Sequence, residues 1–100
     1  MTLTYAKQAA APTVIDFKRE TVITGRVVDD AGQSVGGASV LLLDDAEEFA
    51  AELIASATGD FRFFAAPGTW TVRALSPAGR GDVTVAPSGA GIHEIHIKVA

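Results

Sequence analysis

The chain has 100 residues, 48% hydrophobic and 20% charged, which suits one compact domain and is too short for two. Eight Lys and Arg stand against twelve Asp and Glu, and a net charge of -4 repels a phosphate backbone, which argues against a nucleic-acid partner. Cysteine is absent, which excludes a disulfide scaffold, a thiolate metal site and thiol catalysis. No apolar run approaches the ~20 residues that cross a bilayer, so no membrane association is expected. Lys7 interrupts the only early apolar stretch that a secretory signal would need, and the expectation is a cytoplasmic domain standing on its hydrophobic core.

Residues 1–12 show neither a period of 2 nor one of 3.6 and are expected to form a flexible tail, leaving 13–100 as the domain. Within it, Thr13 to Phe17 offers Val14, Ile15 and Phe17 as a short strand or strap. From Thr21 onward, short β-rich runs alternate with turn signals. The first strand is expected over Thr21 to Asp29, with Ile23, Gly25 and Val27 on one face and Val22, Thr24 and Arg26 on the other. A turn at Asp30-Ala31-Gly32-Gln33 leads to a second strand over Ala38 to Leu43. Asp44 to Phe49 is expected to be an acidic connection with one helical turn, before a third strand over Ala51 to Ala57. Thr58-Gly59-Asp60 turns the chain into Phe61 to Phe64, and Pro67-Gly68 turns it again into Thr69 to Leu75. The last two strands are Asp82 to Ala86 and Ile92 to Val99.

Seven short strands without a convincing helix predict an all-β, antiparallel sandwich, whose two sheets pack ~10 Å apart. The expected inward residues are Ile23, Val27, Val40, Leu42, Phe61, Phe63, Trp70, Val72, Val83, Val85, Ile95 and Ile97. Burying each contributes ~1.5–3 kcal/mol, so the core needs no metal or disulfide.

Two stretches carry a family pattern. Thr24-Gly25-Arg26-Val27-Val28-Asp29 with Gly32, Val35 and Gly37-Ala38-Ser39-Val40 resembles the first hairpin of carboxypeptidase regulatory-like domains. Thr58-Gly59-Asp60-Phe61-Arg62-Phe63 followed by Pro67-Gly68-Thr69-Trp70-Thr71-Val72-Arg73-Ala74 resembles their second half. The resemblance implies a seven-stranded antiparallel, transthyretin-like (prealbumin-like, Greek-key) β-sandwich. More narrowly, Glu20 to Asp29, Ser56 to Gly68 and Pro87 to Glu94 are similar to the actinobacterial SseC family. That similarity implies a sulfur-metabolism context, because the genes of this family adjoin those of rhodanese-type thiosulfate sulfurtransferases.

Candidate site chemistry is sparse. His93 and His96 lie three apart on a strand and so point to opposite faces, which prevents them from sharing a metal ion. His93 falls on the Ile95 face as a hydrogen-bonded histidine, and His96 points outward with Glu94 and Lys98. Asp44, Asp45, Glu47, Glu48 and Glu52 lack the glycine-centred ligand spacing of a calcium loop and are expected to be solvated. No Gly-x-Ser-x-Gly elbow is present, and Gly36-Gly37 and Gly89-Ala90-Gly91 precede strands where a phosphate cradle needs a helix N-terminus. No catalytic residue, cofactor or metal site is therefore expected.

The distinctive feature is Val40-Leu41-Leu42-Leu43, apolar on both faces of a strand that should show one face to water. Leu41, Leu43, Phe64 and Leu75 are the expected interface residues, covered either by the protein's own strap and 44–50 connection or by another chain. The expected function is a non-enzymatic binding or assembly module. Its partner would be a second copy or, by the resemblance, a rhodanese-type sulfurtransferase. The alternative is a small-ligand binder or enzyme with a pocket at one end of the sandwich, near His93, Arg73 or Arg80.

Overall fold

A computed structural model of the chain describes residues 20–100. The expected tail and the Thr13–Phe17 strap lie outside the described residues. Seven strands follow in order: β1 (Thr21–Val28), β2 (Ser39–Leu43), β3 (Phe49–Ile54), β4 (Asp60–Phe64), β5 (Trp70–Ser76), β6 (Gly79–Val85) and β7 (Gly91–Lys98). They form a three-stranded sheet, β4-β1-β7, and a four-stranded sheet, β3-β2-β5-β6.

One feature of this architecture departs from the expected antiparallel arrangement. β1 and β7 run parallel, in register from Thr21↔Gly91 to Val28↔Lys98, whereas the other pairs are antiparallel, so the sandwich is mixed. Alternation of apolar and polar residues is unchanged when a strand reverses direction, so strand direction leaves no mark on the pattern that predicts the strand.

The core lies between the sheets. Ile23, Val27, Val40, Leu42, Phe61, Phe63, Val72 and Ile97 are buried in it, and Trp70, Val83, Val85 and Ile95 pack against it half-buried. All twelve expected inward residues therefore face the core. Gly25 belongs to the same row, and its lack of a side chain makes room: a β-carbon there would meet the Ile95 carbonyl and stand 2.6 Å from the Phe61 ring.

Three connections share one turn. Asp29, Asp44 and Ser56 each open a five-residue loop closed by a backbone pair, Asp29 N–H to Gln33 O (2.9 Å), Asp44 N–H to Glu48 O (2.9 Å) and Ser56 N–H to Asp60 O (3.0 Å). In each, the opening side chain accepts two backbone N–H groups, those of Ala31 and Gln33, Ala46 and Glu48, or Thr58 and Asp60. The fourth residue takes positive φ: Gly32 at 80°, Glu47 at 59° and Gly59 at 81°. This turn replaces the helical turn expected over Asp44 to Phe49, because the Asp44 carboxylate offers those N–H groups a nearer acceptor than a helix would. The same turn at Ser56 ends β3 at Ile54, where the composition suggested a strand running to Ala57. At the other hairpin, β6 begins at Gly79, ahead of the expected Asp82, with Ser76 paired to Gly79. Glycine at 81 is required there, since a β-carbon would run into the Lys98 carbonyl.

Candidate functional site

The register of the four-stranded sheet arranges its solvent face in rows. One row reads Ile54, Ser39, Leu75, Arg80; the next Glu52, Leu41, Arg73, Asp82; the third Phe49, Leu43, Thr71, Thr84. Phe49 reaches the third row because the pairing shifts between Leu42 and Leu43, a β-bulge that leaves Leu43 opposite Phe49. On this face Phe49 and Ile54 are the most exposed large apolar residues, at 57% and 56%, and Leu75 follows at 38%.

The middle row is held by charge. Arg73 donates Nε–H to Asp82 Oδ1 at 3.0 Å and Nη2–H to Oδ2 at 2.9 Å, and Glu47 Oε1 lies 3.6 Å from the same Nη2. The Arg73 hydrogen bonds hold the Asp82 carboxyl below its ordinary value, and the Asp82 carboxylate raises Arg73 in turn. The bidentate pair thus fixes a planar guanidinium among half-buried and exposed leucines.

The four expected interface residues do not form one patch. Leu41, Leu43 and Leu75 share the face just described, but Leu43 is buried at 5% exposure and only Leu75 presents substantial surface. Phe64 belongs to the other sheet and is also buried, at 7% exposure. On that sheet's outer face the rows read Phe64, Val22, Ile92; Arg62, Thr24, Glu94; and Asp60, Arg26, His96. Phe49 and Ile54 were missed as surface residues because the alanines of β3 obscured its extent. Arg62 was missed because nothing local distinguishes a buried arginine from an exposed one.

The remaining candidates are occupied separately. His93 Nε2 lies 3.2 Å from the Gly89 carbonyl oxygen near the start of β7, whereas Arg80 exchanges backbone hydrogen bonds with Ala100 beyond the end of β7. Arg73 is engaged by Asp82 on a sheet face, so His93, Arg73 and Arg80 do not converge at one end of the sandwich. Asp44 caps its own turn, and among the described residues no group of His, Cys, Asp and Glu is placed to hold a metal ion. Among these residues, too, no helix is long and apolar enough to cross a membrane.

Solved structures of similar shape agree with this topology. A DUF3823 family protein from Parabacteroides merdae superposes with a TM-score of 0.63 at 18% identity, over 82% of this chain and 46% of that one. The 5-hydroxyisourate hydrolase of Klebsiella pneumoniae gives 0.60 at 19% identity, over 80% of this chain and 90% of that one. At such identities the likeness establishes the transthyretin-like fold and nothing of activity. Among sequence relatives, an uncharacterized protein of Mycolicibacterium smegmatis is 73% identical over 89 residues, 89% of this chain and 99% of that one. Two uncharacterized proteins of Mycobacterium tuberculosis H37Rv are each 68% identical over 88 residues, 88% of this chain and 88% of their own. The family model described as protein of unknown function (DUF1416) matches residues 4–99, and the chain belongs to that family.

Proposed function

We propose that this protein is a non-enzymatic binding module whose docking surface is the outer face of the four-stranded sheet. The observation that carries the reading is the combination on that face of exposed Phe49, Ile54 and Leu75 with the bidentate Arg73–Asp82 pair. Apolar side chains around a fixed, planar guanidinium are the composition from which interface hot spots are built. Among the described residues, the carboxylates with altered acidity, Asp60 and Asp82, are lowered by hydrogen bonds to Thr58 and Arg73, which hold turn and sheet in place.

The partner we propose is a rhodanese-type sulfurtransferase, which would make the protein an accessory in sulfur metabolism. The support for this is the similarity of Glu20 to Asp29, Ser56 to Gly68 and Pro87 to Glu94 to the SseC pattern. The test is affinity capture of the tagged protein from native lysate, then titration with the purified sulfurtransferase. Ile54→Asp and Leu75→Asp, both at exposed positions, should abolish capture while leaving the melting temperature within a few degrees of the parent. Capture that survives both substitutions would refute the assigned face. Absence of binding to the purified sulfurtransferase would refute the partner.

A further inference from the structure

β7 stands at the edge of the three-stranded sheet, with β1 on one side only. Its odd positions turn their backbone groups toward the β1 side: Gly91 N–H donates to the Glu20 carbonyl at 2.8 Å, and Val99 N–H to the Val28 carbonyl at 2.9 Å. Backbone direction alternates along a strand, so the N–H and C=O groups of Ile92, Glu94, His96 and Lys98 point away from β1. The far end of that outward row is used within the chain. A β-carbon on Gly81 would run into the Lys98 carbonyl, and Ala100 and Arg80 exchange backbone hydrogen bonds of 3.3 and 3.5 Å. Among the described residues, no hydrogen bond engages the outward groups of Ile92, Glu94 and His96, which leaves this edge free to pair. Two other edges differ. β3 is interrupted by its bulge and β6 is tied at its start to Ala100, and both features discourage pairing with another chain.

The side chains over the β7 edge decide which strand fits it. Ile92, Glu94, His96 and Lys98 are exposed on the outer face, and Ile95 is half-buried on the inner one. An antiparallel copy of the same segment makes hydrogen bonds only where outward-pointing positions oppose one another, so the pairing must centre on a residue. Centring on Glu94 sets that carboxylate against its own copy, and like charges directly opposite are destabilising. Centring on His93 sets Glu94 against Ile92, which offers the carboxylate no polar group. Centring on Ile95 sets Glu94 opposite His96 on both sides of the axis, a carboxylate acceptor across from an imidazole donor. The two Ile95 side chains then meet on the inner face.

We propose that β7 pairs antiparallel with the β7 of a second copy of this chain, about a two-fold axis at Ile95. Glu94 N–H donates to the second copy's His96 carbonyl and accepts from the second copy's His96 N–H, and the symmetric pair repeats this across the axis. The two three-stranded sheets thereby become one continuous sheet. The contact is self-complementary, as a two-fold interface requires. It goes beyond the docking surface, which lies on the other sheet and shares no residue with it.

Sedimentation velocity of the full chain, from micromolar to millimolar concentration, is the first test. A concentration-dependent dimer supports the pairing, and a monomer throughout overturns it. Glu94→Pro removes one outward N–H and no hydrogen bond to β1, so circular dichroism should show the fold retained while the dimer dissociation constant rises about tenfold or more. An unchanged constant overturns the proposal. The register is tested through charge, which also serves should Glu94→Pro fail to fold. Glu94→Lys alone should weaken the dimer about fivefold or more, and combining it with His96→Glu, which exchanges the two groups across the axis, should restore it. A double variant as weak as the single one overturns the register. Ile54→Asp, on the docking surface, should leave the dimer intact; its loss there would place the contact on that face and overturn the pairing at β7.

Discussion

Glu47 is the one described non-glycine residue with positive φ, at 59°, and it occupies the position that glycine holds in the two sister turns. For an L-residue this conformation costs about 1–2 kcal/mol, because Cβ crowds the following carbonyl oxygen. Glycine avoids that cost but surrenders about 0.5–1 kcal/mol of additional chain entropy on folding. Glu47→Gly should therefore be more stable than Glu47→Ala by about 0.8 kcal/mol, or roughly 3–6 °C in melting temperature for a domain of this size. Both substitutions delete the 3.6 Å contact with Arg73, so their difference isolates the backbone. That contact itself is weak, since the Glu47 side chain is 69% exposed and Arg73 is already held twice by Asp82. Thermal and urea unfolding of the parent and both variants provide the comparison. Gly32→Ala serves as the converse control, because a β-carbon there meets open space and only the φ of 80° opposes it. Equal stability of Glu47→Gly and Glu47→Ala, with a measurable loss in Gly32→Ala, would refute the argument for backbone strain at Glu47.

Gly25→Ala should destabilise by at least about 1–3 kcal/mol, because its methyl group meets the Phe61 ring and the Ile95 carbonyl; urea unfolding measures it. Phe63→Ala, at 0% exposure, should cost about 3–5 kcal/mol and is expected to leave the domain largely unfolded at physiological temperature. The Asp60 carboxyl is lowered chiefly by the Thr58 hydroxyl, and Asp82 chiefly by Arg73. Both bind protons more weakly folded than unfolded, so their stabilisation is fully present above the ordinary carboxylate range and lost as pH falls through the lowered folded values. Stability should thus stay level from neutral pH to about pH 5 and decline below, and Asp82→Asn should flatten part of that decline in acid titrations followed by circular dichroism.

The strands and the faces of the core were legible in the chain because burial imposes period-2 alternation, and every expected inward residue lies in or against the core. The glycine-bearing turns at Gly32 and Gly59 were legible for a related reason, since a positive φ admits few residue types. The turn at Glu47 was not, because glutamate carries no mark of a left-handed backbone; it became recognisable only beside its two sisters. The site was legible in kind but not in place. The leucines of β2 announced a strand apolar on both faces, but which outward residues remain exposed depends on neighbours distant in sequence. Leu43 is covered, Leu75 is half-open, and Phe64 belongs to the opposite face of the molecule.

Local patterning, then, determined the strand content, the two-layer architecture and the identity of the core, all of which follow from side-chain chemistry repeated every second residue. Tertiary structure alone decided the parallel β1–β7 pairing, the bulge that turns Phe49 outward and the burial of Arg62. The alternation of residues along a single strand carries no information about which strand will lie beside it, in which register, or in which direction it will run.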